Sequence, residues 1–264
     1  MNRLLVKPKG NRGKTLCVTP ETAGWQHVGF EIHQLSAGQT LTIASDTRER
    51  CLVPVTGTFD AEIDSRTYKS IGGRQNLFAQ TNTDAFYAPW HTSIVITAQD
   101  QLELAVCSAP GGGNFEPRVI FAKDQAKSQR GVSTNTRFIH DILPETEDAH
   151  SLLVVEVFTP AGSWSSYPPH KHCIDNLPDE SFLEETYYHR VNPEQGFVFQ
   201  RVYTDDRRID ETMAVENGDC VMVPEGYHPV GAPHGYDSYY LNVMAGPKRV
   251  WKFKNDPMHE WILK

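Results

Sequence analysis

Pro168-Pro169-His170-Lys171-His172 precedes Glu184-Glu185 in this chain, and Pro224-Glu225-Gly226-Tyr227-His228 follows later. Residues two apart on a strand point to one face, so His170 and His172 can converge on one ion while Lys171 points away. Imidazole and carboxylate suit zinc, manganese, iron, nickel or copper, and four protein ligands leave positions open in a five- or six-coordinate ion. The three stretches therefore predict a metal site that can carry out chemistry.

The composition describes a globular protein with an acidic balance. The chain has 264 residues, of which 39% are apolar and 10% aromatic, enough for a buried core in one or two domains. A net charge of -8 without a long basic run argues against nucleic acid and anionic membranes as partners. No stretch resembles a signal peptide or a membrane span, so we expect a cytoplasmic protein.

The five cysteines suggest neither a disulfide framework nor a thiolate zinc site. They are odd in number, widely scattered and free of any CxxC pair. We expect most of them to be reduced and buried. Cys173 adjoins the histidines, but the nitrogen and oxygen ligands already available make it a bystander in this interpretation.

Short apolar segments separated by turns predict an all-β fold with few short helices. Seventeen prolines and nineteen glycines break the sequence into strand-like runs such as 102–107 and 152–158. The second half repeats this texture at 196–203 and 239–244. Spacing of this kind, without long helical periods, is typical of a β-sandwich or barrel.

The two halves of the chain show signs of an internal duplication. Ala85–His91 resembles Cys220–His228, because each is an apolar strand that ends in a proline turn and a histidine. Arg48–Cys51 stands where the first half would need an HxH pair, so only the second half can assemble the ligands. The predicted domains are residues 1–121, which lack the ligand set, and residues 122–264, which contain the metal site.

The metal-binding residues resemble the two motifs of the cupin superfamily: His170-x-His172 with Glu185, then Gly218 through Pro224-x-Gly226 to His228. Longer segments resemble the 5-deoxy-glucuronate isomerase family of inositol catabolism. These segments are Phe158–His172, Leu183–Arg190, Phe199–Asp206 and Gly231–Asp237, with Thr19–Trp25 and Glu103–Pro110 near the N-terminus. The resemblance covers nearly the whole chain and implies a bicupin, with duplicated jelly-roll cupin domains, and a divalent ion, zinc or manganese.

Two details depart from the general cupin pattern. Twelve residues separate His172 from Glu185, a longer interval than is usual, and the final turn has one residue fewer before His228. Glu185 is preferred over Glu184 because it precedes Thr-Tyr-Tyr, the ligand position in related sugar-acid isomerases. The insert 173–183 can act as a lid over the barrel mouth or be a surface loop, and both readings stay open.

The implied reaction converts 5-deoxy-D-glucuronate, an aldehyde, into the ketone 5-dehydro-2-deoxy-D-gluconate. A divalent ion can polarise the carbonyl, and hydrogen must move between neighbouring carbons. An enediol route needs an ionisable side chain within hydrogen-bond reach, whereas a hydride shift needs none. The sequence leaves these two routes open.

The alternation of side chains along the strands suggests which other residues take part in the reaction. Tyr187 shares the face of Glu185, and Arg201 on the next strand suits a carboxylate, so both are predicted as catalytic residues. The predicted substrate-binding residues are Arg201, Asn242 and Lys171. Because Lys171 points away from the ion, we expect its charge to be paired outside the set of metal ligands. Each of these side chains can also be an ordinary core or ion-paired residue.

Two other functions use the same pattern. A cupin dioxygenase would use iron and oxygen with much the same ligands, and a non-catalytic bicupin would bind a sugar acid without turnover. The expected partner of this chain is a small sugar-acid substrate. Aromatic and apolar strands in the first half lead us to expect a homo-oligomer.

Overall fold

The computed structural model describes residues 3–264, which form strands almost throughout. One α-helix, α1 (Pro20–Ala23), occurs among them, with 3-10 turns at Leu77–Ala79, Ser133–Asn135 and Glu260–Leu263. None of these described helices has the length and apolar character to cross a membrane. The predicted all-β fold with few short helices is confirmed.

The strands are numbered in chain order. The first twelve are β1 (Leu5–Val6), β2 (Gly13–Val18), β3 (Gly29–Leu35), β4 (Thr40–Ile43), β5 (Arg48–Ile63), β6 (Arg66–Arg74), β7 (Ala85–Ala88), β8 (Ile94–Ala98), β9 (Leu102–Pro110), β10 (Arg118–Ile120), β11 (Ala126–Arg130) and β12 (Arg137–Leu143). The others are β13 (Leu153–Thr159), β14 (Trp164–Ser165), β15 (His170–Lys171), β16 (Cys173–Asn176), β17 (Glu180–Phe182), β18 (Glu184–Asn192), β19 (Phe197–Tyr203), β20 (Asp210–Glu216), β21 (Cys220–Val223), β22 (Val230–Gly231), β23 (Asp237–Ala245) and β24 (Lys254–Asn255).

The chain forms two compact units. The first comprises the residues up to Lys7, Lys127–His140 and Val155–Lys264, and the second comprises Pro8–Ala126 and Asp141–Val154. The division of the sequence into domains at residue 121 stays a prediction.

In the second unit a long bent strand joins two layers. The sheet order is β10-β7-β5-β9-β3-β2, and the later part of β5 pairs instead with β6 and β8. The bend lies near Gly57, whose φ is +92° and where a Cβ would meet the carbonyl oxygen of Gln101. The layers enclose an apolar core that includes Leu52, Phe59 and Phe86.

In the first unit a seven-stranded sheet of order β1-β21-β18-β23-β13-β12-β11 faces a four-stranded sheet of order β14-β22-β19-β20. Along β19 the buried residues Val198, Gln200 and Val202 alternate with more exposed ones. Gln200 Oε1 lies 2.9 Å from Nε2 of His189 on β18, which links the two inner faces. This sandwich positions the predicted ligands on and beside β18.

The central strands have the same order in both units: β7-β5-β9 in the second and β21-β18-β23 in the first. Arg50 pairs with Ala88 and Ser108, and Glu185 pairs with Val223 and Met244. A proline follows both Ala88 and Val223, so the strand pairs of the two units can be aligned residue by residue. The topology agrees with a duplication and places Arg50 where the first unit has Glu185.

A buried carboxylate ties the second unit together. Glu49 is fully buried on β5. It accepts hydrogen bonds from the Tyr87 hydroxyl (2.6 Å) and from the backbone N–H groups of His150 (2.8 Å), Ser151 (2.6 Å) and Leu152 (2.6 Å). One side chain therefore holds the segment before β13 against β5.

We expect Glu49→Gln to destabilise this unit by about 2–4 kcal/mol, because an amide NH2 would face backbone donors that now meet an oxygen. Tyr87→Phe removes one donor and should cost only about 1 kcal/mol. Urea unfolding measures both changes. Glu62→Gln, at an exposed position of the same strand, is the control, and a similar loss there would contradict this account.

Candidate metal centre

Three buried side chains converge in the first unit. Glu185 Oε2 lies 3.1 Å from Nε2 of His172 and 3.2 Å from Nε2 of His228. The potential ligand atoms of these three residues all lie within 4.8 Å of one another, and they form the one such group found among residues 3–264. Glu185, rather than Glu184, belongs to the group.

Different elements supply the three side chains. Glu185 lies near the start of β18 between β21 and β23, and His172 directly follows β15. His228 follows a turn in which Gly226 has a φ of +93°, and a Cβ there would overlap the carbonyl oxygen of Tyr203. Paired backbone hydrogen bonds between Tyr203 and Tyr227, at 2.9 and 2.8 Å, hold that turn. Glycine at position 226 thus allows the close approach that fixes His228.

Backbone carbonyls set the orientation of both imidazoles. Nδ1 of His172 lies 3.1 Å from the Leu183 oxygen, and Nδ1 of His228 lies 2.8 Å from the Gly226 oxygen. A carbonyl can only accept, so each Nδ1 carries a proton and each Nε2 is directed at Glu185. His228 Nε2 has no hydrogen-bond partner among the described residues, although the Glu185 oxygen is close.

The protonation states of two of the histidines favour metal binding. Burial lowers the pKa of His228 to about 4, with His172 adding to the effect. Burial and the neighbouring imidazoles hold the pKa of His170 well below its ordinary value. Burial also opposes the charged form of His172, but the hydrogen bond and charge of Glu185 outweigh it and raise that pKa. At neutral pH, His170 and His228 are therefore unprotonated and available as ligands.

His170 is buried beside the group rather than within it. Its ring centroid lies 4.9 Å from that of His228, 6.4 Å from that of His172 and 4.5 Å from that of Phe253. The structure thus brings three of the four predicted ligands together and places the fourth in ring contact with one of them. The two nitrogens and one carboxylate oxygen, with an unpartnered Nε2 aimed inward, fit a divalent ion.

An open cleft borders the group. Its walls include His170, Ser166, Tyr187, Tyr240, Asn242 and Trp251. The Tyr187 hydroxyl lies 3.0 Å from Ser166 Oγ, and the Asn242 amide donates to the Thr186 oxygen at 3.4 Å. The structure therefore places Tyr187 and Asn242, both predicted from the sequence, in one cleft with His170.

Lys171 and Arg201 lie elsewhere. Lys171 points away from the cluster, as strand parity predicts, and forms an ion pair with Asp205. Arg201 lies on the outer face of β19 and binds both oxygens of Asp210, at 2.7 and 2.8 Å. It is Gln200 that faces inward, because alternation along β19 puts the even-numbered residues in the core. The structure does not bring Arg201 to the cleft, so its assigned catalytic and substrate-binding roles, like that of Lys171, stay predictions.

Two arginines that line the cleft, Arg130 and Arg137, were not predicted from the sequence. Both lie shortly after residue 121, where the sequence is divided into the two predicted domains. The sequence shows two arginines, one on either side of Gly131 and a short turn. Their place in the cleft follows only from the position of β11 beside β12 in the sheet.

The insert between His172 and Glu185 is a β-hairpin. β16 pairs with β17, and the Cys173 N–H donates to Glu180 Oε1 at 2.8 Å. Cys173 is half-buried and lies outside the three-residue group. None of the five cysteines, all in the described part of the chain, forms a disulfide, and Cys51, Cys107 and Cys220 are buried. The use of the hairpin as a lid stays a prediction.

Comparisons with known proteins find similarity over nearly the whole chain. The model of the KduI/IolB family matches residues 4–262. Proteins named 5-deoxy-glucuronate isomerase are similar over 100% of this chain: one from Geobacillus thermodenitrificans, 52% identical over 97% of its own length, and one from Bacillus subtilis, 49% identical over all of its length.

Solved structures give the same picture of the fold. An IolB-like protein from Salmonella typhimurium has a TM-score of 0.97 and 49% identity, with 99% of each chain covered. Oxalate decarboxylase from Bacillus subtilis has a TM-score of 0.66 at 12% identity, covering 97% of this chain and 80% of the other, which shows a shared fold alone. The predicted duplicated cupin architecture is confirmed.

The cluster predicts how bound metal responds to mutation. We expect roughly one divalent ion per wild-type chain, and less than about a tenth of that in His172→Ala and Glu185→Ala, because each removes a buried donor. Metal analysis after dialysis measures this content. His234→Ala, at an exposed loop position, should retain the ion. Undiminished metal in both ligand variants would rule out this site.

Proposed function

This chain belongs to the KduI/IolB family, and we propose that it is an aldose–ketose isomerase that converts 5-deoxy-D-glucuronate into 5-dehydro-2-deoxy-D-gluconate. The observation that carries the proposal is identity of about half of all residues, over the whole chain, to proteins named 5-deoxy-glucuronate isomerase. The buried His and Glu cluster supports it, since isomerisation requires a polarised carbonyl.

His172, Glu185 and His228, with His170 beside them, would hold the ion. A divalent ion bound there supplies Lewis acidity to the carbonyl end of the substrate. The carbonyls behind Nδ1 of His172 and His228 keep the Nε2 atoms oriented before the ion binds. The chain therefore contributes a preorganised set of donors.

Tyr187 is suited to donate a hydrogen bond rather than to act as a base. Burial, and then the charge of Glu185, raise the pKa of its hydroxyl well above the ordinary value, so the phenol stays protonated at neutral pH. Ser166 lies 3.0 Å away and orients the hydroxyl in the cleft. A donor at this position stabilises negative charge that develops on a substrate oxygen.

Several finer features belong to the same proposal. The nitrogen and carboxylate donors suit zinc or manganese. The reaction would serve inositol catabolism in the cytoplasm, with a small sugar acid as the partner and further copies of the chain in a homo-oligomer.

Turnover in deuterated water tests the proposal. We expect metal-loaded protein to remove the aldehyde signal of 5-deoxy-D-glucuronate in a proton NMR time course. Solvent deuterium at the product carbon that derives from substrate C1, which is C6 in the product's own numbering, indicates an enediol, in which a base takes the substrate C2 proton and an acid returns one to substrate C1. Retained substrate hydrogen indicates direct transfer from C2 to C1. A persistent aldehyde signal would refute the isomerase.

Tyr187→Phe isolates the hydroxyl donor. We expect kcat to fall by about 100-fold while KM and metal content change little, because the donor acts on charge present in the transition state. Steady-state kinetics and metal analysis give the three values. Tyr188→Phe, on the opposite face of the same strand, is the matched control. An unchanged kcat in Tyr187→Phe would exclude this role.

A further inference from the structure

The cleft has an unbalanced positive charge. Ten residues line it, all in the described part of the chain; two are the arginines Arg130 and Arg137, and none is an aspartate or glutamate. The rest of its wall is apolar or neutral, apart from the titratable His170. A cavity with two fixed cations and no acidic side chain is suited to an anion.

Arg137 has no carboxylate partner of its own among residues 3–264. Its Nη1 donates to the backbone oxygen of Asn135 at 3.0 Å and lies 3.3 Å from the Asn135 side-chain oxygen, both neutral acceptors. Arg137 is half-buried, and burial lowers the pKa of its guanidinium, with the charge of Arg130 adding to the effect. These contacts orient the group without neutralising it.

Arg130 reaches the cleft from the neighbouring strand. Its guanidinium carbon lies 5.5 Å from the ring centroid of Trp251 and 5.9 Å from that of Phe253, so aromatic faces hold the charge at the rim. β11 ends at Arg130, and the adjacent β12 begins at Arg137. The turn between them requires glycine at position 131, because a Cβ there would overlap the carbonyl oxygen of Asn135.

The arginines share this cleft with one end of the metal centre. His170 lines the same walls, and the charges of Arg137 and Arg130 are among the causes that lower its pKa. A ligand in the cleft can thus present one group to the cluster and an anionic group to the arginines. A linear uronate has this layout, with an aldehyde at C1 and a carboxylate at C6.

We infer that Arg137, assisted by Arg130, binds the carboxylate of the substrate and makes the enzyme select uronates over neutral aldoses. The inference rests on the proposed function for the identity of the reacting end, but the anion site stands on the arginines themselves. A guanidinium can donate two parallel hydrogen bonds to a carboxylate, which gives orientation as well as affinity.

Specificity measurements test the inference in the metal-loaded protein. Two substrates are compared: 5-deoxy-D-glucuronate and the same aldose with CH2OH in place of the carboxylate. We expect Arg137→Gln to lower kcat/KM for the uronate by about 10- to 100-fold, mostly through KM, and to leave the neutral aldose nearly unchanged. Arg130→Gln should act in the same direction more weakly. Arg66→Gln, an exposed arginine paired with Glu116 in the second unit, is the control.

A binding experiment keeps this test separate from turnover. Isothermal titration with D-gluconate and with neutral D-glucitol should show that the wild type prefers gluconate, and that Arg137→Gln reduces this preference by about 10-fold or more. If wild-type protein binds gluconate selectively but turns over neither aldose, the proposed reaction fails and the anion site stands. Equal binding of gluconate and glucitol by the wild type, or equal losses for both substrates in Arg137→Gln, would overturn the inference.

Discussion

The first unit is arranged around a carboxylate oxygen that two imidazole nitrogens approach at 3.1 and 3.2 Å. Both rings are fixed through Nδ1 to backbone carbonyls, so lone pairs rather than N–H groups would face Glu185 when the rings are neutral. Such a buried cluster of acceptors is stable only with positive charge inside it, supplied by a proton on His172 or by a divalent ion. The need for a cation is therefore a property of the folded backbone.

The second unit meets the same constraint differently. Arg50 occupies the position that corresponds to Glu185, so a covalently attached cation replaces the acidic ligand. Its guanidinium pairs with Asp46 at 2.6 Å and donates to the Arg48 oxygen at 3.1 Å. The charge of Arg50 is thus balanced within the unit. One framework thus serves as scaffold in one unit and as a candidate reaction site in the other.

The sequence predicted the features that depend on the spacing of residues close together in the chain. An HxH pair, a glutamate on an aromatic strand and a glycine turn before His228 were enough to find the converging residues, and short turn-bounded strands were enough for the fold class. The alternation of side chains along a strand cannot tell which face of the strand is buried. Sheet pairing decides that, and it turns Gln200 inward. Arg130 and Arg137 were not predicted as cleft residues, because their position depends on the pairing of β11 with β12, which local spacing does not show.

The C-terminal segment explains why His170 lies at the edge of the cluster. β24 pairs with β15, so Asn255 lies opposite His170, and the Asp256 N–H donates to the Pro169 oxygen at 2.8 Å. Phe253 packs on one side of the His170 ring and His228 on another. Nearby, Trp251 and Phe253 support Arg130. The same few residues thus position a candidate ligand and a candidate carboxylate receptor, and a displacement of this segment would disturb both ends of the cleft together.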